Sequence, residues 1–323
     1  MSKQGKKIKK VLIVIASYSA FRDPLEKAFK SLGIKTSCFD NRKTTLFEKL
    51  FFGLSMIYSP FYSLATKHIN NRLMKVVEFM KPDLVLVSKG ENLFATTIKE
   101  ISQKTIIVNW FTDYFANFKE IENWLSACSF FFTGDRADVR AYRAKGYKKL
   151  YCLPYAGPEL AFSANKKKYN VVFIGTFNRE REYSFEKLDR FNLKIWGNKK
   201  WEKSKLRKNY MGKWLTSNEV TQILKNSKIV VNNHQNRVLN LRVYEATSAG
   251  ALLITDYSDD LPHMYKIGSE VIVYKNKNDL FNKVKYYLEN NSQREKIAKA
   301  GYKRQNKNHT YEKRIKEMIK IIN

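Results

Sequence analysis

Cysteine is scarce in this chain: 323 residues carry only Cys38, Cys128 and Cys152. They stand far apart, with no CxxC pair and no neighbouring histidine, which excludes a disulfide framework and a zinc-ligand spacing and suits a reducing, cytoplasmic compartment. Proline and glycine are few, at 6 and 13 residues, too few for a collagen-like or low-complexity chain. Acidic side chains are outnumbered, 30 against 60 Lys and Arg, and the formal charge is +30. That surplus attracts anions such as nucleoside diphosphates, nucleic acid or acidic lipid headgroups. Lysine is spread through every segment, so part of the charge reads equally as solvated faces. No run reaches the roughly 18 apolar residues of a membrane span. The opening MSKQGKKIKKVLIVIA has a basic start, but its apolar run is short for a signal peptide and lacks a clear cleavage site. A first buried strand is the expected reading.

What is present is a hydrophobic share of 44%, enough for packed cores, in a chain longer than one core usually serves. Short apolar runs at Val11–Ala16, Lys35–Phe39, Leu84–Val87, Ile106–Trp110, Phe130–Thr133 and Leu150–Leu153 alternate with amphipathic stretches ending at Gly33 and Gly146. This is the rhythm of a parallel α/β sheet with crossover helices. The segment GPELAFSANKKKY, 157–169, interrupts it. The rhythm then resumes through Val171–Ile174, Leu193–Trp196, Ile229–Asn232, Ala251–Thr255 and Glu270–Tyr274, and closes in helices, one of them expected to be capped by Ser292 with Glu295. The sequence thus predicts two Rossmann-like domains, 1–156 and 170–323, joined by a linker at 157–169. Neither first strand is followed by GxGxxG, which removes the main support for a dinucleotide-binding dehydrogenase.

The most specific stretch is NNHQNRVLNLRVYEATSAGALLITD, Asn232 to Asp256, in which a strand ends in polar residues and a helix follows. Ligands of open α/β sheets bind at such strand ends. Together with VVFIGTFNRERE, from Val171, it resembles the donor-binding half of the CgeB-like glycosyltransferases, whose fold is GT-B: two Rossmann-like domains facing each other across a cleft. The resemblance implies a nucleotide-diphosphate sugar as co-substrate, with no further cofactor and no metal. It implies that Glu245 takes the ribose hydroxyls and that Arg242, one turn earlier, reaches the diphosphate. An ordinary Arg–Glu pair on a helix face would look the same. Gly175 would let a phosphate approach the backbone, with Arg179 and Arg181 at the entrance of the next helix. Trp196 and Gly197 fall where the family faces the nucleobase, and Trp196 reads equally as core. In the related family 4 retaining enzymes a first glutamate precedes the second by eight positions. This chain has Arg237 there, with His234 and Asn233 as the substitutes at hand. Asp259 and Asp260 suggest a metal-binding DxD less well than they suggest a solvated loop.

The first half resembles the family through PDLVLVSKG and VNWFTDY, 82–90 and 108–114, both at strand ends. Lys89 would meet an anionic acceptor or donor phosphate and Asp113 would serve as base if the reaction inverts, or else Lys89 is a solvated strand end and Asp113 a helix cap. SYSAF, 17–21, lacks the histidine of many inverting enzymes, which favours retention. Thr44 to His68, rich in Phe, Tyr and Leu and flanked by cations, reads either as an interfacial helix on an anionic membrane or as helices packed on the first sheet with Pro60 turning the chain. The expected function is sugar transfer to a glycan, lipid-linked or protein acceptor in surface polysaccharide or envelope glycan synthesis, in the cytoplasm or at the inner face of the plasma membrane. The rivals are a basic nucleic-acid-binding protein, for which no motif appears, and an inactive GT-B-like protein.

Overall fold

The computed structural model describes residues 8–162, 166–236 and 238–323, with the backbone alone at Asn117. Within them the chain divides into two units. The first runs to Pro154 and regains Arg314–Asn323, and the second is Tyr155–Lys313.

In the first unit the apolar runs form β1 (Lys10–Val14), β2 (Lys35–Phe39), β3 (Leu84–Ser88), β4 (Ile106–Phe111), β5 (Phe130–Thr133) and β6 (Leu150–Cys152). All pair in parallel, in the order β2-β1-β3-β4-β5-β6. Val11 to Val14 and Leu84 to Val87 are wholly buried, as strands covered by helices on both faces must be. The covering helices are α1 (Arg22–Ser31), α2 (Leu46–Leu54), α3 (Pro60–Met80), α4 (Ala95–Lys104), α5 (Ile121–Ala127) and α6 (Arg136–Ala144). Pro60 starts α3 at its first position, where its missing N–H costs nothing.

The second unit repeats the plan with β7 (Tyr169–Ile174), β8 (Leu193–Trp196), β9 (Ser227–Asn232), β10 (Leu252–Asp256) and β11 (Ile272–Tyr274), parallel and ordered β11-β10-β9-β7-β8. Its helices are α7 (Arg179–Phe185), α8 (Ser217–Lys225), α9 (Leu241–Ser248), α10 (Leu261–Met264), α11 (Lys277–Glu289), α12 (Asn291–Asn308) and α13 (Tyr311–Ile322). In both sheets the strand order reverses beside the first strand, so β1/β3 and β7/β9 are the topological switch points. A crevice opens beyond the strand ends at such points.

Three expectations need correction. Residues 157–162 are not a free linker: Gly157 N donates to the His309 carbonyl at 3.0 Å and Tyr302 Oη to that of Leu160 at 2.7 Å, which lays the segment along the second unit; residues 163–165 of the expected linker lie outside the described residues. The chain's last ten residues cluster with the first unit rather than the second, with Ile315 and Met318 fully buried and Arg314 Nε donating to the Pro154 carbonyl at 3.0 Å. Finally, α12 begins one residue before Ser292 and has no side-chain cap. Asn291, inside that first turn, instead accepts from the Arg294 guanidinium at 2.5 Å. Among the described residues no helix is long and apolar enough to cross a membrane.

Candidate functional site

The β7/β9 switch point gathers most of the residues singled out in the second half. Beyond β7 the chain turns through Gly175, whose N–H donates to the Trp196 carbonyl at 2.9 Å and whose carbonyl accepts from Trp201 Nε1 at 3.0 Å. Gly197 leaves β8 alongside it: a Cβ there would sit 2.0 Å from the Gly175 carbonyl oxygen, so only glycine allows the two backbones to touch. Asn178 then caps α7 by accepting from Arg181 N at 2.7 Å.

The two arginines that follow part ways. Arg179 is exposed at the first position of α7. Arg181 is turned inward and 5% exposed. Its Nη1 donates to the carbonyl and hydroxyl of Thr176 at 2.8 and 3.0 Å, and its Nη2 to the Asn233 carbonyl at 2.7 Å. The guanidinium lies 5.2 Å from the Phe173 ring centroid. Burial, joined by the nearby Arg242 charge, pulls its pKa below the usual arginine value, yet a guanidinium stays protonated. A fixed positive charge therefore underlies the loop.

Beyond β9 a polar lattice forms. Asn232 Nδ2 donates to Thr255 Oγ1 at 3.0 Å, and Asn240 Nδ2 to Asn232 Oδ1 at 3.0 Å. The Asp256 carboxylate, ending β10, accepts from His234 N at 2.9 and 3.0 Å. The His234 ring is enclosed: Nδ1 accepts from Asn240 N at 3.4 Å and Nε2 faces Thr255 Oγ1 at 3.3 Å. Burial, with the Arg181 charge behind it, holds this imidazole down at about 4, so it is neutral near pH 7. Burial pushes Asp256 the other way, up to about 6, with the Glu180 carboxylate adding to the rise.

On α9, Arg242 Nη1 lies 2.6 Å from Glu245 Oε2, with both side chains 14% exposed. Burial raises the Glu245 carboxyl above its ordinary value and Arg242 offsets part of that. Four buried polar atoms here have no hydrogen-bond partner: Asn233 Oδ1, Asn240 Oδ1, Arg242 Nε and Arg181 Nε. Folded proteins pair nearly all such atoms, which sets this crevice apart from an ordinary packed interior. Beside it a concavity of about 830 Å³ is lined by Glu180, Tyr183, Asn233, Asp256, Tyr274 and Lys277, among others.

The arrangement sorts the sequence-derived residues. Gly175, Gly197, Arg181, Asn233, Arg242 and Glu245 meet at or beside the switch point, with Arg179 at its rim. Trp196 does not present its ring to a base: it is 4% exposed and packs edge-on against Tyr169 at 5.5 Å between centroids. His234 is a lattice member with both ring nitrogens engaged, which leaves it no free position to act on a substrate. Arg237 lies outside the described residues. In the first unit Lys89 Nζ and Asp113 Oδ2 form an ion pair at 2.5 Å, Lys89 standing in left-handed backbone at φ 66° just beyond β3. Tyr114, not Asp113, precedes the short helical turn that follows, and no side chain caps that turn. Asp256, Glu180, Tyr274 and Asn240 were missed. Their signal was position, since Asp256 and Tyr274 end strands whose ends form one edge. Among the described residues, no three His, Cys, Asp or Glu side chains converge as a metal centre would need.

Residues 179–320 match a family model described as glycosyl transferase-like. No curated protein matches the chain in sequence. In three dimensions the chain is similar to sucrose-phosphate synthase from Thermosynechococcus elongatus, with a TM-score of 0.69, 11% identity, and coverage of 97% of this chain and 98% of that one. It is likewise similar to Anabaena HepE, solved in complex with UDP and glucose, with a TM-score of 0.63, 11% identity and coverage of 97% and 99%. A UDP-N-acetylglucosamine 2-epimerase of Listeria monocytogenes scores 0.63 at 13% identity, with coverage of 97% and 96%. The fold, two parallel Rossmann-like sheets, is that of GT-B glycosyltransferases, and most of the second unit falls within the match to the glycosyl transferase-like model.

Proposed function

We propose that the chain is a glycosyltransferase whose second unit binds a nucleoside-diphosphate sugar at the β7/β9 switch point. The observation that carries this reading is the Arg242–Glu245 pair on α9, set among four buried polar atoms that lack partners and beside the fixed charge of Arg181. A carboxylate accepts two hydrogen bonds from a ribose diol, and a guanidinium matches phosphate oxygens. In this reading Arg242 and the exposed rim arginine Arg179 hold the diphosphate, while Arg181 acts from beneath by holding the Asn233 carbonyl. The UDP and glucose held by HepE, a neighbour of the same fold, favour a nucleotide sugar as the ligand class.

In the reaction the acceptor oxygen bonds to the anomeric carbon as the bond from that carbon to the diphosphate breaks. The electron pair leaves on the diphosphate, and the acceptor proton passes to a base or to the leaving phosphate. The main barrier is charge growing on the leaving group, and prearranged guanidinium groups lower it without needing a metal. Lys89 and Asp113, at the switch point of the first sheet, are the proposed acceptor-side pair. We assign retention of configuration, a glycan, lipid-linked or protein acceptor, and work in the cytoplasm.

Thermal-shift measurement against UDP-, GDP-, ADP-, CMP- and dTDP-sugars tests the site, since a ligand bound only by the folded state raises its melting temperature. One or more nucleotide sugars should stabilise the protein, and Glu245→Gln should remove the effect. No response to any of them, alongside tight salt-sensitive binding of random RNA, would overturn the reading. The anomeric configuration of the product, read by NMR, decides retention.

A further inference from the structure

The helical pair α2 and α3 in the first unit is assembled inside out. On α2, Glu48 is fully buried and Phe52 packs on the core, while Leu46, Phe47 and Leu50 are exposed. Residues at 46, 47, 50 and 54 share one face of a 3.6-residue helix, opposite 48 and 52. The apolar face thus looks outward and the carboxylate inward. Glu48 is held there by Arg72 Nη1 at 2.8 and 2.9 Å, by His68 Nδ1 at 2.9 Å and by the N-terminal turn of its own helix. The turn between the helices carries Met56, Ile57 and Tyr58 at 90%, 86% and 58% exposure. Aromatic contacts from Phe51 to Phe61 and from Tyr58 to Phe61, at 5.4 and 5.5 Å, brace the tip.

The outer face of α3 changes character along its length. Positions 60, 64, 67, 71 and 75 share that face; Leu64 is exposed near the tip, and Lys67 and Lys75 are exposed beyond it. Lys43 and Lys49 are exposed on the α2 side. From 42 to 77 the chain has a single acidic residue, the buried Glu48. The exposed apolar face and tip are therefore flanked along the two helices by exposed ammonium groups, with no exposed carboxylate in the segment. Single exposed apolar residues are ordinary, whereas a contiguous patch of this kind marks a contact surface. From this complementarity of apolar tip and basic flanks we infer that the α2–α3 tip is a docking surface for an anionic lipid bilayer. The tip side chains enter the headgroup boundary and the lysines meet lipid phosphates.

The test is co-sedimentation of the full chain with phosphatidylcholine vesicles, with and without phosphatidylglycerol, at physiological salt. Binding should require the anionic lipid. Ile57→Glu and, separately, the double change Lys49→Glu with Lys67→Glu should each weaken it about tenfold or more. Melting temperature and nucleotide-sugar stabilisation should stay as in the parent protein, and Ile57→Ser serves should the acidic variant fail to fold. Absence of binding by the parent chain would overturn the inference. So would undiminished binding by the Ile57 variants, because the overall charge of +30 would then suffice. A dimer in light scattering that Ile57→Glu dissociates, without vesicle binding, would assign the patch to a second copy of the chain instead.

Discussion

Arg242 and Glu245 stand one turn apart on α9 with 2.6 Å between Nη1 and Oε2, and both are largely withdrawn from water. Neither charge is well served alone. Glu245→Gln keeps the shape and removes the charge, leaving a largely buried guanidinium without its counterion. We expect a loss of about 1–3 kcal/mol in urea unfolding together with loss of nucleotide-sugar stabilisation. Unchanged ligand response would remove Glu245 from the site.

Arg179 and Arg181 separate a surface charge from a structural one. Arg179→Ala should leave the melting temperature within about a degree or two while weakening nucleotide-sugar affinity about tenfold, since only an exposed side chain changes. Arg181→Met breaks donations to Thr176 and Asn233 and should cost about 2–4 kcal/mol of stability. Equal effects of the two changes on stability would contradict the inward and outward orientations.

Gly197→Ala should be among the most damaging single-methyl additions in the second unit. The new carbon would lie 2.0 Å from the Gly175 carbonyl oxygen, and a backbone atom cannot swing aside as a flexible side chain would. About 2–3 kcal/mol of destabilisation is expected, read as a fall in the urea midpoint at constant slope. Gly212→Ala is a poor control because its φ is 79°. Gly53→Ala, with open space around it, should be neutral or stabilising.

His234 and Asp256 give the site an opposed pH response. His234 falls from 6.5 to about 4, so the unfolded chain binds the extra proton between those values and this residue's contribution to stability grows as pH rises from 4 to 6.5. Asp256 rises from 3.8 to about 6, so the folded chain binds the extra proton and its contribution shrinks as pH rises from 4 to 6. Each is on the order of 3 kcal/mol, and together they nearly cancel. Asp256→Asn should leave stability rising with pH across that window, and His234→Gln should leave it falling. Parallel slopes in the two variants, measured by urea unfolding from pH 4 to 6.5, would show that the enclosed lattice does not set these protonation states.

Much of the fold could be read from the sequence because parallel strands buried on both faces are continuous apolar runs. LVLV at 84–87 and FFFT at 130–133 became β3 and β5 with little change of boundary. The cap expected at Ser292 failed because α12 starts one residue earlier, at Asn291, whose side chain accepts from the Arg294 guanidinium. The Arg242–Glu245 ion pair was legible as the ordinary helix-face alternative, because a helical turn fixes its distance. Asp256 and Glu180 were not, since what makes them notable is the company supplied by separate strands and helices. Trp196 and His234 show the converse: each sits at a strand end, and only burial tells that one ring is packing and the other a lattice post.

The return of Arg314–Asn323 to the first unit affects how the protein can be handled. A fragment stopped at Pro154 and a full chain truncated after Lys313 both lack the piece that carries the buried Ile315 and Met318. No single cut yields two whole halves. A hybrid made by one crossover with a relative would join a foreign closing segment to the native first unit, so exchange of the second unit calls for two junctions, one on either side of it.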